Sequence, residues 1–316
     1  MENNETVLGK LRQQIETIVQ GQTEVIDQLL IALIAGGHVL LEGVPGVAKT
    51  LLARCMAMSL DLDFRRIQFT PDLMPADVTG VSIYVAAKGQ FDFQPGPIFT
   101  DVLLADEINR APAKTQAALL EGMQENQVSI DNTTHRLPEY FMVIATQNPI
   151  EYEGVYPLPE AQLDRFLMKV LVQYPEQDAE RAMLLNMHRL GESIRNPATT
   201  LQPLLSKSEL ASLRRGVFDI EMDESVVDFV LNIIRESREL SLLSFGASPR
   251  AGVMLMQAAK ASAVLMGKDF VSPEDVVALA APVLRHRIQL TPEAQIEGMT
   301  PDSCIEALMR QVKVPR

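Results

Sequence analysis

Between an apolar run at residues 39–42 and a helical stretch that opens Leu51-Leu52-Ala53 lies the string Gly43-Val44-Pro45-Gly46-Val47-Ala48-Lys49-Thr50. A strand that passes through a glycine-bearing loop straight into a helix is the first part of a β-α-β unit. Such a unit belongs to a parallel sheet covered by helices, because a parallel neighbour is reached only by a long crossover. Further apolar runs fall at residues 64–68, 102–105, 141–145 and 166–171, with helical patterns between them. Several lack polar alternation, as strands buried on both faces do. An amphipathic helix precedes the first run, with Leu8, Leu11, Ile15, Ile18 and Val19 on one face. The fold class is α/β.

The glycine-bearing string fits G-x-x-x-x-G-K-[ST], a P-loop. A phosphate chain needs many donors close together, and glycines let the backbone curl so that successive N–H groups point inward. Lys49 is placed to reach the outer phosphates, and the Thr50 hydroxyl to hold Mg2+. The helix that follows aims its positive end at the anion. Nucleotide contacts are expected from Gly43, Val44, Pro45, Gly46, Val47, Ala48, Lys49, Thr50 and Leu51. A second element is Val102-Leu103-Leu104-Ala105-Asp106-Glu107, an apolar strand ending in two acids. Asp106 suits the magnesium shell and Glu107 suits polarising a water for attack on the γ-phosphate. The cofactors read from these motifs are ATP and Mg2+. GTP is disfavoured because no N-K-x-D sequence is present.

The rest of the chain is organised around this core. Two hairpins are expected, at 82–85 with 91–94 and at 128–130 with 136–137, around Ala86-Ala87-Lys88-Gly89 and Asp131-Asn132-Thr133-Thr134. After residue 190 the pattern changes. Residues 191–203 are polar with two prolines and read as a linker. Beyond them only helices are expected, opened by Asp223, Ser248-Pro249, Ser272-Pro273 with Asp275, and Thr300-Pro301. The divisions are a nucleotide-binding core at 1–190 with two hairpin inserts, the linker, and a helical unit at 204–316. Cys55, Met254, Met256 and Met266 read as core.

A formal net charge of −13 sets the chain at a disadvantage for nucleic-acid binding, and no long Lys/Arg run offsets it. Cys55 and Cys304 have no zinc spacing. The acidic start Met1-Glu2-Asn3-Asn4-Glu5 is unlike a signal peptide, and the apolar stretch at 29–41 is too short to span a bilayer. No stable membrane insertion and a cytoplasmic location are expected.

These residues resemble the AAA+ ATPases, and within them the MoxR family. The resemblance covers nearly the whole chain. It rests on Asp106-Glu107-Ile108-Asn109-Arg110-Ala111-Pro112 with Gln116 and Ala118-Leu119-Leu120-Glu121, similar to the family's Walker B region. It rests also on Phe69-Thr70-Pro71-Asp72-Leu73-Met74-Pro75-Ala76-Asp77-Val78-Thr79-Gly80 and on Glu160-Ala161-Gln162-Leu163-Asp164-Arg165-Phe166. It implies an αβα sandwich with a five-stranded parallel sheet, followed by a small all-helical lid domain. Asn148 matches sensor 1, Arg165 the arginine finger that acts on a neighbour's nucleotide, and Arg250 sensor 2. Gly21-Gln22 resembles the segment that passes the adenine. The hairpins match inserts that ring-shaped relatives place near a central pore.

The resemblance further implies a ring-forming homo-oligomer, a hexamer. Its Mg-dependent ATP hydrolysis would drive chaperone-like remodelling or maturation of a protein client, or metal-cofactor insertion, with a partner carrying a von Willebrand factor A domain. Two alternatives are the motor subunit of a metal chelatase and a non-hydrolysing, nucleotide-gated scaffold. Intact Glu107, Asn148 and Arg165 count against the scaffold. A DNA motor is disfavoured by the acidic balance.

Overall fold

The computed structural model describes residues 2–87, 89–131, 133–149, 155–190 and 201–315. From the N-terminus, α1 (Glu2–Glu16) and α2 (Thr23–Ala35) lead into β1 (Val39–Glu42). Helix α3 (Lys49–Ser59) connects to β2 (Phe64–Gln68). A short α4 (Pro75–Thr79) and a hairpin of β3 (Gly80–Val85) and β4 (Gln90–Pro95) precede β5 (Val102–Asp106). Helix α5 (Ala113–Glu125) and a second hairpin, β6 (Gln127–Ile130) and β7 (Thr133–Arg136), precede β8 (Met142–Gln147). The one-turn α6 (Glu160–Leu163), β9 (Met168–Leu171) and α7 (Gln177–Leu190) follow.

Strands β1, β2, β5, β8 and β9 form one parallel sheet in the order β2-β5-β8-β1-β9. Side chains alternate between its faces. Val39, Leu41, Leu104 and Ile144 join a core with α1, α2 and α3, while Leu40, Leu103, Val143 and Ala145 join another with α5 and Phe166. Burial on both faces accounts for the uninterrupted apolar runs in the sequence. The edge strand β2 differs: Arg65, Arg66 and Gln68 are exposed and only Ile67 is buried.

Helix α2 is the central pillar. It is buried nearly all round and ends at Gly36, whose φ of +70° accommodates the left-handed cap. Its polar residues fall in the first half, and from Leu29 to Ala35 it is apolar on every side, so that stretch carries no 3.6-residue stripe.

Beyond residue 204 come α8 (Lys207–Asp219), α9 (Glu224–Glu239), β10 (Leu243–Phe245), α10 (Pro249–Leu265) and α11 (Pro273–Leu284). The last elements are β11 (Gln289–Leu290), α12 (Pro292–Ile296) and α13 (Pro301–Gln311). Ser206, Asp223, Ser248, Ser272, Thr291 and Thr300 stand at helix N-caps, the polar residues best able to satisfy the first free N–H groups. Helix α10 lies against α2, where Gln257 donates to the Ala35 carbonyl at 2.6 Å and Arg214 of α8 donates to that of Leu33 at 3.1 Å. The lid thus shares the core of the sheet's first face.

Three details depart from the sequence reading. In the second hairpin Thr133 and Thr134, expected in the turn, are already strand. The lid contains an antiparallel β10–β11 ribbon, whose three- and two-residue strands are too short to show a period. Met266 is 40% exposed, while Met254 sits against the Arg287 guanidinium. The 191–200 part of the expected linker, and Lys88 and Asn132 of the two turns, lie outside the described residues. Among the described residues no helix is long and apolar enough to cross a membrane.

Candidate functional site

The register of the sheet lines up the carboxyl ends of its strands. Gln68 pairs with Asp106, Ala105 with Ala145, Leu41 with Thr146, and Glu42 with Gln147. Ligands of open α/β sheets bind outside this edge, where strand order reverses. Here the reversal is at β1, the strand that feeds the P-loop.

A cavity of about 470 Å3 opens at that point, lined by Pro45, Gly46, Ala48, Lys49, Thr50, Leu51, Asp106, Glu107 and Asn148 together with Arg66, Gln68 and Thr146. Nine residues named from sequence therefore converge on one space. Two of them, Ala48 at φ +60° and Glu107 at φ +56°, adopt left-handed backbone that L-residues avoid. Such strain costs about 1–2 kcal/mol at each position and is typical where a fold aims groups at a site.

Side chains in the cavity are held by one another. Thr146 Oγ1 donates to Asp106 Oδ1 at 2.6 Å and accepts the Glu107 N–H at 2.9 Å, fixing both acids on the strand end. Thr50 Oγ1 donates to Asp106 Oδ2 at 3.1 Å. Arg66 reaches the same oxygen through Nε at 3.0 Å and Nη2 at 2.7 Å. Gln68 Nε2 donates to Glu107 Oε2 at 2.7 Å, and Arg110 lies 3.3 Å from that carboxylate. Lys49 Nζ donates to the carbonyls of Gly43, of Val44 at 3.4 Å and of Gln147 at 3.3 Å. Val47 is buried beneath the loop and Asn148 is buried at the cavity wall.

The lining fits a magnesium nucleotide. A threonine hydroxyl and a carboxylate are the hard oxygen donors that Mg2+ takes, leaving further positions for phosphate and water. The Lys49 ammonium rests on backbone carbonyls of the loop and of β8, partners it can exchange for phosphate oxygens. A Cβ on Gly46 would meet nothing within 4 Å, so the loop faces open space.

Other sequence-named residues lie elsewhere. Gly21, at φ +72°, and Gln22 line a separate cavity of about 430 Å3 with Gln173, Tyr174 and Arg285, and Gln22 Nε2 donates to the Gln173 carbonyl at 2.9 Å. Arg165 is half-buried on the turn after α6, and among the described residues it pairs with neither Asp164 nor Glu160. Arg250 stands in the first turn of α10 and meets Asp164 at 3.5 Å. A cation opposed to a helix dipole takes the nearest anion. Asp164 also binds Arg287 at 2.8 Å, so the turn carrying Arg165 is clasped by two arginines of the lid.

Arg66, Gln68, Thr146 and Arg287 were missed from sequence. A signal existed for two of them. Arg66 and Gln68 are polar residues two apart near the end of a strand, which puts both on one face at its carboxyl end. Thr146 and Arg287 had none short of the fold.

A P-loop at the switch point of a parallel sheet, an acidic pair at the end of β5 with β8 between it and β1, and a helical lid together define an AAA-type P-loop ATPase fold. The family description "ATPase family associated with various cellular activities (AAA)" matches residues 38–168, and "AAA lid domain" matches 235–308. The chain is similar to "Uncharacterized protein YeaC" of Bacillus subtilis, 46% identical over 98% of this chain and 95% of that one. It is similar to "Chaperone MoxR1" of Mycobacterium tuberculosis, 43% identical over 96% of this chain and 81% of that one. A crystal structure of a candidate ATPase from Cytophaga hutchinsonii superposes with a TM-score of 0.90 at 40% identity, covering 99% of this chain and 96% of that one. The chain belongs to the MoxR family of AAA ATPases.

Proposed function

We propose that this chain hydrolyses ATP with Mg2+ at the P-loop cavity and that its active sites are completed between subunits of a homo-oligomeric ring. The observation that carries this reading is the convergence of Lys49, Thr50, Asp106, Glu107 and Asn148 on one cavity at the sheet's carboxyl edge. Bound Mg2+ supplies charge neutralisation on the phosphates. Thr50 and Asp106 are the residues to hold it. Lys49 exchanges its carbonyl partners for the outer phosphates. Glu107 polarises the attacking water and Asn148 orients it. Gly43 to Leu51 wrap the phosphate chain, and Gly21 with Gln22 pass the adenine.

Arg165 acts on the nucleotide of a neighbouring copy, and Arg250 reports the γ-phosphate to the lid. In this reading residues 1–190 form the motor core, 191–203 the linker and 204–316 the lid. The exposed Tyr84 and Phe91 ring pair on the first hairpin, 5.3 Å apart, offers an apolar grip for a protein client. The ring is a hexamer in the cytoplasm. It remodels or matures that client, or assists metal-cofactor insertion, with a von Willebrand factor A partner.

The test is steady-state ATPase rate against protein concentration for the unaltered chain and Arg165→Ala. A specific rate that rises with concentration and falls with the substitution supports shared sites. A flat specific rate that Arg165→Ala leaves unchanged overturns the finger assignment. Absence of hydrolysis at every concentration, with ATP still bound, favours the nucleotide-gated scaffold.

A further inference from the structure

Asp106 Oδ2 is a crowded atom. It accepts Thr50 Oγ1 at 3.1 Å, Arg66 Nε at 3.0 Å and Arg66 Nη2 at 2.7 Å, while the other oxygen, Oδ1, is engaged by Thr146 at 2.6 Å. A carboxylate oxygen has two lone pairs, and three donors already share them. A divalent cation cannot reach this oxygen, directly or through its water shell, until a donor withdraws.

The three contacts differ in what they can do. Thr50 need only rotate its hydroxyl, turning a lone pair where its proton was. The Thr146 bond is on the other oxygen and also fixes the Glu107 N–H, so it can stay. Arg66 brings a full positive charge, which repels an incoming cation, and it alone must move away. It is built to do so: it sits on the edge strand, its side chain is 49% exposed, and Arg65 beside it points off to the Gly96 carbonyl. Its Nη2 also holds Gln68 Oε1 at 2.6 Å, giving the guanidinium a second anchor at the cavity rim.

We propose that Arg66 is a resident counter-cation at the magnesium position, competing with the divalent ion for Asp106 and setting the magnesium concentration at which nucleotide is held. The proposal rests on reading Thr50 and Asp106 as the magnesium position. Its physical basis is competition between two cations for one carboxylate. The Arg66–Asp106 pair neutralises the buried acid when the metal is away, and every increment of its strength is subtracted from the metal's affinity. Arg66 is thus a positioning residue that acts through Asp106.

The experiment is a magnesium titration of binding by a fluorescent ADP analogue, which involves no turnover. It uses the full chain, Arg66→Met, Arg66→Lys and Asp106→Asn, with EDTA as the zero point. Competition requires the half-effective magnesium concentration to fall about two- to fivefold in Arg66→Met, the range of a charged pair with one exposed partner. Binding in EDTA should change little. Arg66→Lys, which keeps the charge and loses the fork, should fall between. An unchanged or raised midpoint in both Arg66 variants overturns the proposal. So does equal weakening of ADP with and without magnesium in Arg66→Met, which would put Arg66 on the phosphates instead. A magnesium response that survives intact in Asp106→Asn overturns the site reading, and the proposal with it.

Discussion

Arg287 of the segment after α11 meets Asp164 of the segment after α6 at 2.8 Å, with the arginine side chain only 2% exposed. The same guanidinium donates to the carbonyls of Asp164 at 3.1 Å and Leu167 at 3.2 Å, and to those of Phe166 and Val283. Burial draws its pKa down to about 10 while Asp164 pulls it back up, so the charge is intact at neutral pH. Arg287→Met fills the space but strips donors from the carbonyls of Asp164, Leu167 and Val283 and leaves the Asp164 carboxylate with only Arg250, at 3.5 Å. A loss of about 3–5 kcal/mol in urea unfolding is expected. Because Asp164 precedes Arg165, a milder variant, Arg287→Lys, is expected to lower ATPase rate more than ADP affinity. Equal losses in both would mean that the clasp does not position Arg165.

Gln68 and Arg110 both occupy the Glu107 carboxylate in this structure. A water that is to be polarised by Glu107 must take the place of one of them. Gln68→Ala removes the closer donor, at 2.7 Å, from an exposed contact. Basal turnover at saturating ATP is expected to rise about two- to fivefold, the kinetic equivalent of one exposed hydrogen bond to a charge. Glu107→Gln, by contrast, should retain ATP binding and lose about 10²–10⁴ in rate. A fall in turnover for Gln68→Ala would make Gln68 a support of the active geometry instead of a restraint on it.

The sequence made the sheet legible because buried parallel strands read as bare apolar runs, and β1 and β2 came out with the expected bounds. It made the lid helices legible through their caps, as at Ser272 with Asp275. The P-loop and acidic pair were legible as motifs because local chain geometry alone builds them. What stayed hidden depends on register and on docking. Only the pairing of Gln68 with Asp106 puts Gln68 beside Glu107. Only the packing of the lid against the α6–β9 turn carries Arg287 to Asp164, residues 123 apart in the chain. The second half of α2 shows no helical stripe, because burial of Leu29 to Ala35 on every side erases the amphipathic pattern that marks a helix.

His38 gives a pH prediction. Its side chain is buried, Nδ1 accepting the Val143 N–H at 3.0 Å and Nε2 facing the Met123 carbonyl at 3.1 Å. This arrangement needs the neutral ring with its proton on Nε2. Burial draws its pKa to about 4 from 6.5. Between those values the unfolded chain binds the proton and the folded one does not, so stability falls as pH drops from 6.5 toward 4. The full effect is about 3 kcal/mol, and none of it operates above pH 7. His286 is lowered in the same direction by burial and then by Arg287, while burial raises Asp27 and works the opposite way. Urea midpoints of the unaltered chain at pH 7.5, 6 and 5 should decline, and His38→Gln should flatten the decline while lowering the midpoint at pH 7.5. An equally steep decline in the variant would assign the proton uptake elsewhere.

Gly43 and Gly46, the two glycines of the P-loop motif, should respond differently to alanine. A Cβ on Gly43 would lie 2.4 Å from the Val172 carbonyl oxygen, a backbone atom fixed by its place directly after β9. The β1 end and that segment would have to part, and overpacking of this kind costs about 1–3 kcal/mol. Gly46 is different. Its φ is +88° and a Cβ there meets nothing within 4 Å, so alanine strains the backbone by only about 1–2 kcal/mol and clashes with nothing in the free protein. The open space is the cavity itself, so the added methyl acts on the ligand. Gly43→Ala is expected to lower the unfolding midpoint clearly. Gly46→Ala should lower it less and weaken ADP binding at least tenfold, a loss of about 1.4 kcal/mol. The pair of measurements separates a glycine needed by the fold from one needed by the phosphate. Unweakened ADP binding in Gly46→Ala would show that the loop does not close around the nucleotide at that residue.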